Sequence, residues 1–392
     1  MRLSCLAVIV VAAAPAFGQL HLITGSPTPK HMIEFESALF RVSGDGSVTR
    51  VADLVSASTG TEWIGTSEDW RKAVLLPRDG RLDRVVVVDF DKAAMVKDCR
   101  PAGSRFFTSN EWLLDSPTKG PVLAEYISGE DPNAMLVVGM VLDPLVPCDK
   151  TFTTLDRSEV RYFAASGRAG VADVDRGGNM YVSIDSEGNV RRPFRDGPVD
   201  FGIQVPRSMI SDIRQPAVGL DVSSRSLFVL DVREVSEPSQ GRLLVFRKAD
   251  STWHRVPVVT GRRGLVRGFG SFLAMVDYQP KSETMPESAG RSEWRKTDSA
   301  TGPNMQDRFD NDDLGYVYPG RLFLYDTSTE RIYTIVTHQG DSEILLVEDG
   351  TVYYRASDRL YSAPITNRGL GEAKLLAKSD VIRDAHWAFI KH

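Results

Sequence analysis

Short apolar runs separated by tight turns constrain the fold of this chain more than any other feature. After residue 30, β-branched and aromatic runs alternate with Gly, Asp, Asn and Pro, and few segments keep the 3.6-residue period of a helix. The clearest hairpin is 343–354, where the turn Glu348-Asp349-Gly350 supplies the Asp-Gly pair that accepts a positive φ. The pattern predicts an all-β protein.

These runs recur as a repeat. Residues 241–246 align without gaps with residues 320–325, and a polar turn and a further strand follow each. Units of four strands fit the chain about seven times, at the spacing of roughly 40 to 50 residues that propeller blades show. We therefore expect a β-propeller of seven four-stranded blades, with six or eight as alternatives. The unused apolar run 381–390 is expected to pack His386-Trp387 and to close the ring by joining the first blade.

The N-terminus predicts export. Arg2 precedes the apolar stretch 6–14, and the small residues that signal peptidase requires follow, so we expect cleavage after Gly18. The predicted organisation is a signal peptide at 1–18 and one propeller domain at 19–392, without a membrane span. The short, bacterial-type signal predicts a secreted or periplasmic protein, which we expect to be a monomer.

Two cysteines remain once the signal peptide is removed. In an oxidising compartment Cys99 and Cys148 are a candidate disulfide, and the alternative is two buried thiols that act as small apolar side chains. The net charge of −5 is spread along the chain without a basic cluster, which argues against nucleic acid as a partner.

One connection is far longer than a hairpin turn. The insertion 281–319 is rich in Ser, Glu, Asp, Pro and Gly, and 234–240 lengthens a second connection. In the predicted strand order both join second and third strands, so they leave the ring on one face. The candidate ligand contacts in the insertion are Trp294, Tyr316 and Tyr318, and its candidate Ca²⁺ ligands are Asp310, Asp312 and Asp313. The alternatives are a mobile solvated loop and a solvated acidic turn.

The segment 170–183, continued by 189–191, contains an apolar strand, an Asp-x-x-Gly-Asn turn and a Tyr-Val strand. It resembles one blade of the NHL-repeat and gluconolactonase-like propellers. The resemblance implies either a binding ring or a metal-dependent lactone hydrolase, with the metal held at the channel mouth by carboxylates and an Asn. Those hydrolases take one carboxylate from a Glu-Gly-Pro-x-Trp-type stretch near the N-terminus, whereas Glu62-Trp63 lacks the Gly-Pro.

No pattern of catalytic residues emerges from the chain. The histidines are scattered without metal-ligand spacing, and the sequence has no Gly-x-Ser-x-Gly motif. We therefore predict no catalytic residues and interpret the protein as an exported binding module for a protein, peptide or glycan. The alternatives are a Ca²⁺-dependent, lactonase-like hydrolase and a structural envelope protein.

The disulfide prediction is tested by thiol alkylation of the secreted, denatured protein followed by mass analysis. Because a disulfide protects both sulfur atoms, label should appear on Cys99 and Cys148 only after reduction. Full labelling without reductant would establish the two-thiol alternative.

Overall fold

The hairpin predicted from the Asp-Gly pair is present in the computed structural model of the chain. β23 (Ser342–Glu348) pairs with β24 (Thr351–Ala356), and Asp349 and Gly350 between them have φ values of 49° and 67°. The structure describes residues 18–24, 35–58, 61–67, 71–77, 85–99, 111–116, 120–128, 135–141, 152–155, 181–192, 199–210, 217–223, 227–232, 242–247, 249–256, 262–280, 316–336 and 342–392.

The described strands form six sheets in which all neighbours are antiparallel. Sheet 1 contains, in order, β28 (Ala385–Lys391), β1 (Gln19–Thr24), β2 (Phe35–Val42) and β3 (Val48–Ser58). Sheet 2 contains β4 (Thr61–Ser67), β5 (Lys72–Pro77), β6 (Val85–Asp89) and β7 (Ala94–Cys99). Sheet 3 contains β8 (Glu111–Ser116), β9 (Gly120–Ser128), β10 (Met135–Val141) and β11 (Phe152–Leu155).

The second half of the chain forms the other three sheets. Sheet 4 contains, in order, β14 (Val199–Gln204), β13 (Asn189–Arg192), β12 (Tyr181–Ile184), β15 (Ala217–Ser223), β16 (Leu227–Val232), β17 (Arg242–Arg247) and β18 (Thr252–Arg255). Sheet 5 contains β19 (Arg262–Phe269), β20 (Phe272–Pro280), β21 (Tyr316–Asp326) and β22 (Arg331–Val336). Sheet 6 contains β23, β24 and β25 (Arg359–Thr366), with β26 (Gly369–Leu370) and β27 (Lys374–Lys378) both paired to β25. A short helix, α1 (Arg207–Ile210), and a 3₁₀ helix (Asp380–Asp384) complete the described elements.

Apolar side chains pack between neighbouring sheets. The cluster between sheets 6 and 1 includes Leu345, Leu360, Leu22 and Ile390. The cluster between sheets 1 and 2 includes Leu39, Phe389, Leu75 and Val86. Further clusters join sheets 4 and 5 and sheets 5 and 6. Strands of neighbouring sheets lie side by side, β23 beside β28, β4 beside β8 and β15 beside β19. Four-stranded sheets that pack face to face around their first strands form a β-propeller, as predicted.

The C-terminal strand closes the ring. β28 pairs with β1 along its length, from Gln19 opposite Lys391 to Thr24 opposite Ala385. Sheet 1 is therefore built from both ends of the chain, which confirms the prediction that the run 381–390 joins the first blade. The inclusion of β1, which begins at Gln19, was not predicted from the sequence.

The predicted count of seven separate four-stranded blades does not match the described strands. Sheets 1, 2, 3 and 5 have four strands each, whereas β12 pairs directly with β15 and merges seven strands into sheet 4. The pairing of Tyr181 with Val218 joins the strands β12 to β14 to the meander β15 to β18. The NHL-like segment 170–180 lies outside the described residues.

The aligned repeat corresponds to equivalent strands. β17 and β21, which carry the two matching sequences, are each the third strand of a β-meander, β15 to β18 and β19 to β22. Leu243 and Val245 of one strand and Phe323 and Tyr325 of the other pack into the same apolar cluster. Similar sequence therefore marks the same position in adjacent units.

His21 on β1 is a buried titratable group within this core. Its ring stacks on Phe389, with centroids 5.1 Å apart, and Phe389 stacks in turn on Phe90. Burial lowers the pKa of His21 below its ordinary value of 6.5, the hydrogen bond to the Gln19 carbonyl opposes this shift, and nearby Lys391 and Arg41 add to it. Just below pH 6.5, the folded protein therefore keeps the His21 ring neutral, whereas the unfolded chain would bind a proton there.

This difference predicts a loss of stability in acid. The contribution of His21 to the free energy of unfolding is fully present above a pH of about 6.5. It is lost as the pH falls below that value, because the unfolded chain then gains the proton more readily than the folded protein does. Urea unfolding at pH 7.5 and 5.5 should show a smaller acid loss for His21→Phe, which preserves the stack, than for the wild type. The variant His392→Gln removes an exposed ring and should leave the loss of stability between pH 7.5 and 5.5 as in the wild type. An equal effect of the two variants would contradict the assignment to His21.

Candidate functional site

Contacts between sheets show which strand ends lie together. The β23–β24 turn and the end of β25 meet, because the Ile365 amide donates to the Gly350 carbonyl at 2.7 Å. Arg331, at the start of β22, donates to the carbonyl of Asn367, which follows β25. Arg247 of β17 donates to the Thr327 carbonyl in the β21–β22 turn at 3.1 Å. These turns of sheets 4, 5 and 6 therefore lie at one end of the ring, here named the turn end.

The long connections leave at the opposite end. One joins β20 to β21 and the other joins β16 to β17, so both connect second and third strands of a meander, as predicted. Because antiparallel strands alternate in direction, connections between second and third strands lie at the opposite end from the turn end. We name this the insertion-bearing end.

The two strands flanking the insertion extend beyond the rest of sheet 5. β22 pairs with β21 only along 321–326, whereas β21 begins at Tyr316 and pairs there with Pro280 of β20. This two-stranded extension, residues 279–280 and 316–320, is named the β20–β21 projection. It lies at the insertion-bearing end.

A β-bulge interrupts the ladder at the base of the projection. Asp277 pairs with Arg321 and Gln279 pairs with Val317, so Tyr278 alone stands opposite the three residues 318–320. Bulges bend a strand and redirect its side chains, and they recur beside functional sites. Tyr316 and Tyr318, two of the predicted ligand contacts, thus belong to β21 rather than to the loop that was expected to extend to residue 319.

A buried charged cluster lies at the same end, between sheets 6 and 1. Glu343 of β23, Arg355 of β24 and His386 of β28 are only 2%, 1% and 6% exposed. One Glu343 oxygen, Oε2, lies 2.9 Å from Arg355 Nη2 and 2.9 Å from His386 Nδ1. Arg355 Nε donates to the Ala385 carbonyl at 2.8 Å. We name these three side chains the closure cluster, because they join the last sheet to the strand that closes the ring.

Local strand geometry explains how the closure cluster forms. Glu343 and Arg355 are directly opposite each other in the β23–β24 ladder, so their side chains lie on the same face of sheet 6. In β28, Ala385 pairs with Thr24 and Trp387 pairs with Ile23, which leaves His386 as the extra residue of a bulge. Arg355 is held by a carboxylate and a backbone carbonyl at once, which its planar guanidinium group suits.

The turn end carries a second polar network. Arg71 of sheet 2 donates to Asp91 at 2.7 Å, to Glu348 of sheet 6 at 3.3 Å and to the Ile390 carbonyl of sheet 1 at 2.6 Å. Burial lowers the pKa of Arg71, but its pairing with Asp91 and Glu348 outweighs burial, so the pKa is raised and the side chain stays charged. One cation thus joins three sheets around the closing strand.

A recurring turn residue was missed in the sequence. In five strand-to-strand turns an Asp carboxylate accepts a backbone amide two or three residues further along the chain, which is the Asx-turn geometry. These residues are Asp45, Asp89, Asp185, Asp250 and Asp326. Their shared signal, an Asp at the end of an apolar strand or shortly after it, is visible in the sequence and could have located the turns.

The remaining predicted site residues fall as follows. Cys99 is the last residue of β7 and pairs with Val85, while Cys148 lies outside the described residues. Trp294, Asp310, Asp312 and Asp313 also lie outside them, so the aromatic and calcium predictions for these positions stay predictions. Within the described ranges, no group of three or more His, Cys, Asp or Glu side chains could hold a metal ion, and no helix is long and apolar enough to cross a membrane.

The chain is similar to solved structures, but it matches no sequence family. No family model matches the chain, and no curated protein matches its sequence. TolB from Acinetobacter baumannii has a TM-score of 0.32 at 9% identity, over 92% of this chain and 67% of TolB. Apo AztD from Citrobacter koseri has a TM-score of 0.41 at 10% identity, over 93% of this chain and 84% of AztD.

A third similar structure comes from work on two prolyl endopeptidases. It has a TM-score of 0.42 at 12% identity and covers 95% of this chain. The chain spans 50% of that longer protein. At such identities and scores, the assignment to the β-propellers rests on the sheets of the chain itself, and none of the three similarities assigns a function.

The closure cluster predicts a large cost for removing one of its charges. Arg355→Met would leave the Glu343 carboxylate buried without its guanidinium partner, and breaking such a pair destabilises a protein by about 3–5 kcal/mol. The exposed pair of Arg50 and Asp53 provides the matched control, since Asp53→Asn should cost less than about 1 kcal/mol. Urea unfolding of both variants measures the loss in free energy of unfolding. Similar losses would show that the buried pair contributes no more to stability than the exposed pair does.

Proposed function

We propose that the protein is an exported β-propeller that binds a protein or peptide through its insertion-bearing end. The observation that carries this proposal is the β20–β21 projection, which extends two strands past their sheet and flanks the longest connection in the chain. Binding surfaces of repeat and loop-bearing scaffolds commonly lie where long connections leave a rigid body. The fold alone would serve many functions, so the argument rests on this end of the ring.

The backbone of the projection favours a polypeptide partner. Among the described strands, residues 316–320 of β21 pair only with β20. No described strand occupies the other edge of this segment, and a partner strand is proposed to add there. An added strand gains affinity from main-chain hydrogen bonds and specificity from its side chains. A glycan would use the aromatic residues but not this edge.

The residue types in and near the projection support the same interpretation. Tyr278, Tyr316 and Tyr318 lie together in the register of β20 and β21, and Trp294 belongs to the insertion between them. Tyrosine and tryptophan are enriched in protein interfaces, where they supply large contact areas and carry much of the binding energy. These residues are therefore the proposed contacts.

Export is the second part of the proposal. The motif before Gln19 has the order of a secretory signal, and β1 begins at the residue that cleavage would expose. The signal supports a periplasmic or secreted location for the folded ring.

The binding proposal predicts that aromatic substitutions remove a partner without unfolding the ring. The variant Trp294→Ala/Tyr316→Ala/Tyr318→Ala should lose at least about tenfold in affinity, because interface aromatics commonly contribute 1–2 kcal/mol or more each. Leu375→Ala, which removes an exposed apolar side chain from β27, is the matched control and should bind as the wild type does. Proteins captured from the native exported fraction by immobilised wild type are identified by mass spectrometry, and the affinity of the purified partner is then measured.

Three outcomes distinguish the possible binding surfaces and classes of partner. Loss of the partner from the triple variant alone, with an unchanged melting temperature, supports the proposal. Equal capture by all three proteins would move the binding surface away from the insertion-bearing end. Binding to a glycan array and to no exported protein would replace the polypeptide partner with a carbohydrate.

A further inference from the structure

The start of the folded domain coincides with a residue that has its own chemistry. β1 begins at Gln19, which is exposed and pairs with Lys391 of β28. Cleavage after Gly18 would make Gln19 the N-terminal residue of the exported chain. An N-terminal glutamine carries its α-amino group within five-membered-ring distance of its own side-chain amide carbon.

We propose that residue 19 of the mature protein is a modification site, at which Gln19 cyclises to pyroglutamate. The α-amino nitrogen attacks the side-chain Cδ, a new N–Cδ bond forms, and the Cδ–Nε2 bond breaks. Ammonia leaves with one proton taken from the amine, and the product is a neutral lactam. The reaction is intramolecular and consumes no oxidant, reductant or other reactant. The inference rests on the export part of the proposed function.

Two cations near Gln19 favour the reactive form of the amine. Lys391 stands directly opposite Gln19 in the ladder, and Arg41 stands opposite His21 two residues further along β1. Both cations help to lower the pKa of the buried His21 ring, so both act within electrostatic range of the start of β1. Neighbouring positive charge disfavours a protonated amine, and only the neutral amine attacks a carbonyl carbon.

The product also suits this position better than the starting amine does. A lactam removes a positive charge that would otherwise lie across from Lys391, as other blocking groups do at chain termini. The lactam nitrogen keeps one N–H, so it can still donate to the β28 strand. The Gln19 carbonyl, which contacts His21 Nδ1 at 2.9 Å, takes no part in the ring. Because Gln19 is exposed, closing the ring displaces no core side chain.

The test uses the full chain with its own N-terminus, expressed in an exporting host. The intact mass of the secreted protein should be about 17 Da below that of the 19–392 chain, which is the mass of one ammonia. The N-terminal peptide should resist amine labelling and lose that resistance after treatment with a pyroglutamate-removing peptidase.

A pair of charge variants tests the role of the opposite strand. Lys391→Glu should slow the mass change of freshly secreted protein at pH 7 several-fold, because an anion there favours the protonated amine. Lys374→Glu makes the same charge change on exposed β27 and should leave the rate as in the wild type. Equal rates in the two variants would overturn the proposed part of Lys391.

The outcomes separate this inference from export itself. A mature chain that begins at Gln19 and keeps a free amine overturns the modification while the export proposal stands. A chain that begins at another residue overturns both the cleavage site and the modification. A chain of lowered mass with a blocked N-terminus at residue 19 supports both.

Discussion

The pairing of β28 with β1 is the interaction on which the rest of this structure depends. It builds sheet 1 from both ends of the chain, and sheet 1 supplies one face to the cluster with sheet 6 and the other face to the cluster with sheet 2. Without β28, the apolar side chains of β1 and of sheet 6 would face water, and β1 would present an unpaired edge. Exposed edges of this kind pair with other chains, so ring closure protects the protein from association as well as stabilising its core.

Polar networks hold the closing strand at both of its ends. At the insertion-bearing end, the closure cluster ties the bulged His386 to Glu343 and Arg355. At the turn end, Arg71 reaches the Ile390 carbonyl while contacting Glu348. A shift of β28 by one residue would reverse its faces and separate both sets of partners, so these contacts specify the register more than they add to stability. The projection at the insertion-bearing end is thereby carried by a scaffold with a fixed closure.

Local patterns predicted the local structure of the chain. The Asp-Gly turn located the β23–β24 hairpin, the repeat identified two equivalent third strands, and the leftover run at the C-terminus located the closing strand. The predicted blade count does not match the described strands because β12 pairs with β15, a long-range choice that no short pattern encodes. The closure cluster was missed because Glu343 and Arg355 stand among apolar residues, where charged side chains normally indicate the solvent-facing side of a strand. Only the register of β23, β24 and β28 shows that they meet inside.

The pairing of the first described strand with the last has a topological consequence. Gln19 and Lys391 are neighbours in one ladder, so the backbone of a chain limited to residues 19–392 would form a nearly closed circle. The position of its break would matter little to the described sheets. A short linker joining residue 392 to residue 19 would allow new ends to be opened in an exposed hairpin, such as the turn at Asp349-Gly350, with every described ladder retained. Circular permutation is tolerated at such surface turns. The strands would then follow one another in a new order along the chain while keeping their neighbours in the described sheets.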